Sequence, residues 1–387
     1  MKIAKSVNRL GTEAVYNIFA KTKKLAKQGK KIIDLSLGQS DFKSPQHVVD
    51  ATIQALKDGH HGYTLPNGII ECREAVSRKI KSLYKVDIDP ERIVIMPGGK
   101  PTMHYAISFF GEPGAEIIYP DPGFPIYESM INYTGAKGVP YDLNANKDFS
   151  INPDKILSLI NEKTRLLILN NPHNPTGSFT EKTIIDELAT GLINFPHVTI
   201  LSDEIYDRLI FDKKKIPTLF NYPDLYDRLI VLNGWSKTYA MTGWRLGWGV
   251  WPKNLIEHVF KFCVNNHSCV NTAAQYGAIA ALDGPEDHLN DMMSEFTFRR
   301  KLIVDGLRSL KGVECSLPGG SFFVFPNVKG TGMNGEEFTD RCLKEAGVAM
   351  IPGAAFGKFA TNNIRFNFAT SRENISKAIE KLDKILK

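Results

Sequence analysis

The sequence predicts an α/β protein built on an open sheet with helices on both faces. Short apolar, β-rich runs bounded by turn residues alternate with segments of helical period. That alternation argues for strands laid side by side under covering helices. In addition, the residues with the most evident chemistry all follow those runs, which is where an open α/β sheet collects its ligands.

The strand-like runs, in order, are Ile93 to Met96, Glu116 to Tyr119, Arg165 to Leu169, Val198 to Leu201 and Leu229 to Leu232. Helical patterns fill the gaps at Thr102 to Phe110, Ile126 to Tyr133 and Glu181 to Leu192. Ahead of them, residues 13–29 form an amphipathic helical pattern that stops at Gly29. Past residue 285 the texture changes. Asp287 to Leu310 reads as one long helix, Gly320 to Pro326, Val348 to Pro352 and Asn363 to Phe368 as apolar segments, and Ser371 to Leu386 as a closing helix. The expected division is a large domain over 45–285 and a smaller α+β domain made from 1–44 and 286–387. No internal repeat or low-complexity segment interrupts this order.

Composition narrows the class of protein. Of 387 residues, 43% are hydrophobic and 23% charged, which is enough to bury a sizeable core. The net charge of +6 is mild, and the lysine clusters (Lys21, Lys23, Lys24; Lys30, Lys31; Lys213 to Lys215) are short and scattered. They read as solvated surface rather than as a nucleic-acid or membrane patch. Five cysteines without a CxxC pair indicate neither a disulfide framework nor a zinc site, so no metal is expected. The basic N-terminus is not followed by a signal-type apolar core, and no run approaches the ~18 to 20 apolar residues of a membrane span. The expectation is a soluble, untargeted, cytoplasmic protein.

The chemistry begins at Ser236-Lys237-Thr238-Tyr239, just past the run ending at Leu232. A lysine amine can form a Schiff base with an aldehyde. Arg245 follows eight positions later between glycines, and with Ser236 it could hold a phosphate. Asp203 closes another apolar run, where an acid is costly to bury without a positive partner. A pyridinium nitrogen would be such a partner, though the acid could also cap the next helix. Tyr206, three residues on, is either a hydroxyl for a ring oxygen or a core aromatic.

In Asn170-Asn-Pro-His-Asn-Pro-Thr-Gly177 the two X-Pro steps forbid helix and aim Asn174 from a stiff path. His173 in the same stretch reads as structural. Gly98, Gly99 and Lys100 follow a strand and open a helix, a geometry that suits a phosphate cradle or an ordinary turn. Phe124 in Asp121-Pro-Gly-Phe-Pro125 could stack on a flat ring or fill the core. Arg365 alternates with Ile364 and Phe366, so it points away from them and suits a carboxylate or a structural ion pair.

Asn-Pro-x-Asn-Pro-Thr-Gly, Asp-Glu-x-Tyr and Ser-Lys-x-x-x-x-x-Gly-x-Arg, in this order, carry a resemblance nearly from end to end. The chain resembles the class I and II pyridoxal-phosphate-dependent aminotransferases of fold type I, the aspartate aminotransferase-like group. The resemblance implies a mostly parallel seven-stranded sheet with helices on both faces, plus the smaller α+β domain. It implies pyridoxal phosphate bound as a Schiff base to Lys237, which also acts as general base. Asp203 would meet the ring nitrogen, and Tyr206 and Asn174 the ring oxygen. Gly98, Gly99, Lys100, Ser236 and Arg245 would form the phosphate cup, and Phe124 would stack on the ring. Gly38, Asn174 and Arg365 would hold the substrate α-carboxylate. Tyr63 in Gly62-Tyr-Thr-Leu-Pro-Asn-Gly68 would reach the phosphate of a second subunit, giving a homodimer with shared active sites.

The expected reaction moves an amino group from an L-amino acid, aspartate or aromatic, to a 2-oxo acid such as 2-oxoglutarate, with ping-pong kinetics. In many aspartate-specific relatives a tryptophan stands where Phe124 is, and its ring N–H helps to hold the distal carboxylate. Phe124 cannot donate, which points to an aromatic or a broad range of amino donors. Lys100 matches a lysine that binds the same carboxylate in one subgroup, which keeps an acidic donor open. A β-eliminating C–S lyase or cyclopropane-forming synthase would share Lys237, Asp203, Asn174 and Arg365. A regulatory protein on this fold would carry an appended DNA-binding segment, and no helix-turn-helix pattern precedes Ile32.

Overall fold

The structure is a computed structural model that describes residues 1–12, 14–143, 148–212 and 215–387. Lys213 and Lys214 of the third lysine cluster lie outside these residues.

Along the chain the strands are β1 (Ile33–Asp34), β2 (Ile93–Met96), β3 (Glu116–Asp121), β4 (Lys137–Asp142), β5 (Thr164–Asn170), β6 (Thr199–Asp203), β7 (Leu229–Gly234) and β8 (Gly247–Val250). The later ones are β9 (Phe323–Val324), β10 (Val348–Ala349), β11 (Ile351–Pro352) and β12 (Ile364–Asn367). The main sheet has seven strands in the order β2-β8-β7-β6-β5-β3-β4. All of its neighbours pair in parallel except β8, which runs antiparallel to β2 and β7. The fold expected from the sequence is the one observed: a mostly parallel sheet in an α/β frame.

The central strands are continuous apolar runs because helices cover both faces. β2, β6 and β7 are buried at every position. β4 and β8 were not among the runs that read as strands. β4 contains Gly138 and Pro140 and lies at the sheet edge, where proline is tolerated. β8 is Gly-Trp-Gly-Val, and its glycines serve close packing. A Cβ on Gly247 would lie 2.4 Å from the Gly98 carbonyl carbon, and one on Gly249 2.5 Å from Trp251 Nε1.

The helices start and stop on local signals. Gly99 and Pro101 open Lys100–Phe110, and Pro125 opens Pro125–Thr134, which ends at Gly135 in the left-handed region (φ +86°). A second layer forms from β9, β12 and β11, the parallel pair β1–β10, and the helices Asp287–Ser309 and Arg372–Leu386. Its core joins Leu35 to Phe296, Ile303, Phe322, Phe366, Phe368 and Leu382, and it also takes in Tyr206, Leu209 and Phe211 from the turn after β6. Among the described residues no helix is long and apolar enough to cross a membrane.

Candidate active site

The carboxyl edge of the main sheet opens into a cavity of about 420 Å³. β2, β3, β5, β6 and β7 all end at this edge. β8 runs the other way, so its start lies there too and brings Arg245 beside the groups that follow β2 and β7. Topology therefore assembles a site from residues spread between positions 16 and 365.

Gly38, Gly99, Lys100, Phe124, Asn174, Asp203, Tyr206, Ser236, Lys237, Arg245 and Arg365 all line this cavity. Gly98 is not among the lining residues but abuts Arg245, which is: a Cβ there would stand 2.2 Å from Arg245 Nη2, and its φ of +90° favours glycine. Tyr63 does not line this cavity; it is 92% exposed on a separate hollow. His173 is also outside, buried, with Nδ1 2.8 Å from Thr176 Oγ1, and burial drives its pKa down to about 3.

Lys237 follows β7 and donates from Nζ to the Gly38 carbonyl at 2.6 Å. A Cβ on Gly38 would lie 4.0 Å from that amine and 3.1 Å from the Phe323 ring, so glycine keeps the approach open. Arg245 sits in the left-handed region at φ +56°, a conformation that costs an ordinary residue roughly 1 kcal/mol and is held here by context. Its Nη1 donates to the Thr242 carbonyl at 2.7 Å.

Asp203 is 4% exposed at the end of β6. Its Oδ1 accepts from the Ile205 amide, and its Oδ2 accepts from the Tyr127 hydroxyl at 2.7 Å. Burial pushes its pKa up from 3.8 to about 6, against the pull of Tyr127, the Ile205 amide and Lys237. A turn rather than a helix follows β6, so the carboxylate steadies that turn and also faces the cavity.

Arg365 in β12 is 5% exposed. Its Nη2 donates to the Ser36 carbonyl at 2.7 Å and its Nη1 to Asn174 Oδ1 at 2.9 Å. The guanidinium packs over Phe323 and Phe356 at 4.2 and 4.8 Å from the ring centroids, which fixes its fork. The Asn174 backbone is tied down by its N–H to Asn170 Oδ1 at 2.9 Å. Lys100 begins its helix and lies 5.6 Å from the Phe124 centroid and 6.0 Å from that of Tyr16.

Three participants were not singled out in the sequence. Tyr127 stands three residues past Phe124, one helical turn on, and that spacing could have found it. Asn170 lies inside the quoted proline-rich motif and donates to the Asp203 backbone carbonyl at 2.9 Å. Tyr16 comes from the helix Ala14–Lys27, and no local signal says that this helix folds back over the sheet edge.

Among the described residues the lining carries four cationic side chains, Lys100, Lys237, Arg245 and Arg365, against one carboxylate, Asp203. Such a cavity suits two anionic groups at once, one of them a phosphate above the Gly98–Gly99 cradle and the other a carboxylate on the Arg365 fork. A lysine amine and a buried acid share the cavity with those groups, a set that suits a group-transfer enzyme of the pyridoxal-phosphate type. The chain belongs to the aminotransferases: the sequence model of the family "Aminotransferase class I and II" matches residues 30–382. It is 35% identical over 364 residues to an aspartate aminotransferase of Pyrococcus abyssi, covering 92% of each chain. It is 33% identical over 359 residues to an aromatic-amino-acid aminotransferase of Thermococcus litoralis, again over 92% of each. The crystal structure of an aspartate aminotransferase from Rhizobium meliloti superimposes with a TM-score of 0.95 at 29% identity, covering 100% of this chain and 99% of that one. The protein is thus a transaminase, and its family depends on pyridoxal phosphate.

Proposed function

We propose that this transaminase binds pyridoxal phosphate through Lys237 and moves the amino group of aspartate or an aromatic L-amino acid to a 2-oxo acid such as 2-oxoglutarate. The observation that carries the assignment is the convergence of Lys237, Asp203, Arg245 and Arg365 on one cavity. The donor set fits the cofactor: an amine for its aldehyde, a buried acid for its ring nitrogen, and a glycine cradle with an arginine and Ser236 for its phosphate. Bound pyridoxal phosphate supplies the electron sink for the charge left when a substrate α-proton departs.

The chain's own residues do the rest. Arg365 grips the substrate α-carboxylate, oriented by Asn174 and by its aromatic stack, with Gly38 lining the same cavity. Once the substrate amino group has replaced it on the cofactor, the freed Lys237 Nζ would take the α-proton and return it one atom away, a short transfer by one positioned amine. Asp203 stays anionic to hold positive charge on the ring nitrogen. Tyr206 and Asn174 donate toward the ring oxygen, and Phe124 walls the ring face. Lys100 contributes to the phosphate side and, for acidic donors, to the distal carboxylate. One carboxylate fork serves donor and acceptor in turn, so the first product leaves before the second substrate enters. Tyr63 reaches toward the phosphate in a second copy of the chain, making a homodimer with shared sites in a cytoplasmic setting.

Borohydride reduction followed by peptide mapping tests the anchor. The pyridoxyl label is expected on Lys237, and a label elsewhere sinks the assignment. A donor panel against 2-oxoglutarate, run with wild type and Lys100→Ala, tests the side-chain end. If aspartate is the donor, Lys100→Ala lowers its kcat/KM about tenfold, the loss of one charged contact. Unchanged aspartate turnover removes Lys100 from that role.

A further inference from the structure

Tyr127 lies outside every motif of the sequence, yet its hydroxyl makes a 2.7 Å hydrogen bond to Asp203 Oδ2. The residue is completely buried. Burial and the neighbouring carboxylate push its pKa well above the usual phenol value, so the hydroxyl is a donor and Asp203 the acceptor. Its ring meets Phe124 edge to face, with centroids 5.9 Å apart and planes at 85°. Phe124 caps the helix Pro125–Thr134 and Tyr127 stands in the first turn. One rigid helical turn therefore carries both the cavity wall and the group that holds the acid.

We propose that Tyr127 is a positioning residue that orients the Asp203 carboxylate and keeps it anionic, so that pyridoxal phosphate meets a charge at that position rather than a neutral acid. This rests on the reading of Asp203 as the ring-nitrogen partner.

The groups that bear on Asp203 are few. Tyr127 comes from the helix after β3, the Ile205 amide from the turn after β6, and Lys237 from the connection between β7 and β8. Asn170 in β5 takes only the backbone carbonyl. Tyr141 and Tyr206 lie close enough to act on Tyr127. Desolvation is the largest influence on Asp203 and raises its pKa to about 6; the Tyr127 hydrogen bond is the largest influence opposing it. A hydrogen bond to a charged group is roughly twice as strong as a neutral one, so its loss should be visible as proton uptake near neutral pH.

The test compares wild type, Tyr127→Phe and Asp203→Asn. In the cofactor-free proteins, infrared difference titration against Asp203→Asn reads the protonation of Asp203 directly. Tyr127→Phe is expected to move that midpoint up by about one pH unit, a tenfold gain in proton affinity. Visible absorbance at neutral pH is expected to show pyridoxal phosphate bound about tenfold more weakly by Tyr127→Phe. If Tyr127→Phe does not fold, 3-fluorotyrosine at position 127 alone keeps the shape and sharpens the donor, and the midpoint should then fall. An unmoved midpoint in a folded variant overturns the proposal, as does a loss of thermal stability alone with binding unchanged. Asp203→Asn that binds the cofactor like wild type sinks the reading of Asp203 instead, while the cofactor-free titration still decides on Tyr127.

Discussion

Two hollows of nearly equal volume, about 420 and 410 Å³, open on this molecule. The first lies at the carboxyl edge of the main sheet and gathers five charged side chains from four separate stretches of chain. The second is lined by Leu56, His60, His61, Tyr63, Cys269 and Asn271, from helix ends and the loops between them. Volume does not separate the two. In the first, Asp203, Asn174 and Arg365 are buried and held by other residues; in the second, Tyr63 projects into solvent. A site is thus marked by polar groups that the fold immobilises at a cost, because an unpaired buried charge is otherwise strongly unfavourable.

The sharpest way to break this contrast is to remove an immobilised group. Arg365→Ala deletes a fork whose position is fixed by Ser36, Asn174, Phe323 and Phe356. Two charged hydrogen bonds to a carboxylate are lost, so kcat/KM for every donor should fall by roughly 10³-fold. Steady-state kinetics at saturating cofactor checks it. A loss below tenfold would mean that the α-carboxylate sits elsewhere.

The immobilised acid should also leave a mark on stability. Asp203 has a raised pKa in the folded cofactor-free protein, about 6 against 3.8, so the native state holds its proton longer than the unfolded chain does. Its contribution is fully present below pH 3.8 and is lost as pH rises through about 6. Asp203→Asn removes that loss and should stabilise the cofactor-free protein above pH 6 by up to about 3 kcal/mol. Glu204 lies beside it, bound by Ser202 and Thr218, and burial pushes it to about 8. It gives a decline of the same sign over a higher window, so the difference between wild type and Asp203→Asn isolates Asp203. Denaturant titration across pH 4 to 8 is the measurement, and a variant no more stable than wild type at pH 7 refutes it.

The same contrast explains what the sequence could reveal. β2, β5, β6 and β7 were legible because strands covered on both faces are written as apolar runs. β8 was not, because Gly247 answers to Gly98 and Gly249 to Thr102 and Trp251, contacts of the folded chain rather than local propensity. Lys237, Asp203 and Asn174 were legible because each closes or follows such a run. Tyr127 and Tyr16 were not, since an aromatic on an amphipathic helix looks the same whether it faces a core or a cavity. Asn170 stood within a quoted motif, but its role depends on the pairing of β5 with β6, which sets it opposite Asp203.

The second hollow supplies the smallest and most discriminating effect. Tyr63 is 92% exposed, and within one chain it does not line the first cavity. If each hollow acted alone, Tyr63→Phe would change nothing, because an exposed hydroxyl contributes little to folding. If the Tyr63 hydroxyl instead reaches the phosphate in a second copy, Tyr63→Phe should weaken pyridoxal phosphate binding by about three- to tenfold, the worth of one hydrogen bond to a charged group. Absorbance titration gives the dissociation constant, and dilution of the wild type provides the control. The wild-type constant should then rise toward that of the variant as copies separate, whereas that of Tyr63→Phe should respond less. A Tyr63→Phe constant equal to wild type at every concentration would leave the second hollow outside the site. A concentration-dependent gap would make it the other half of the first.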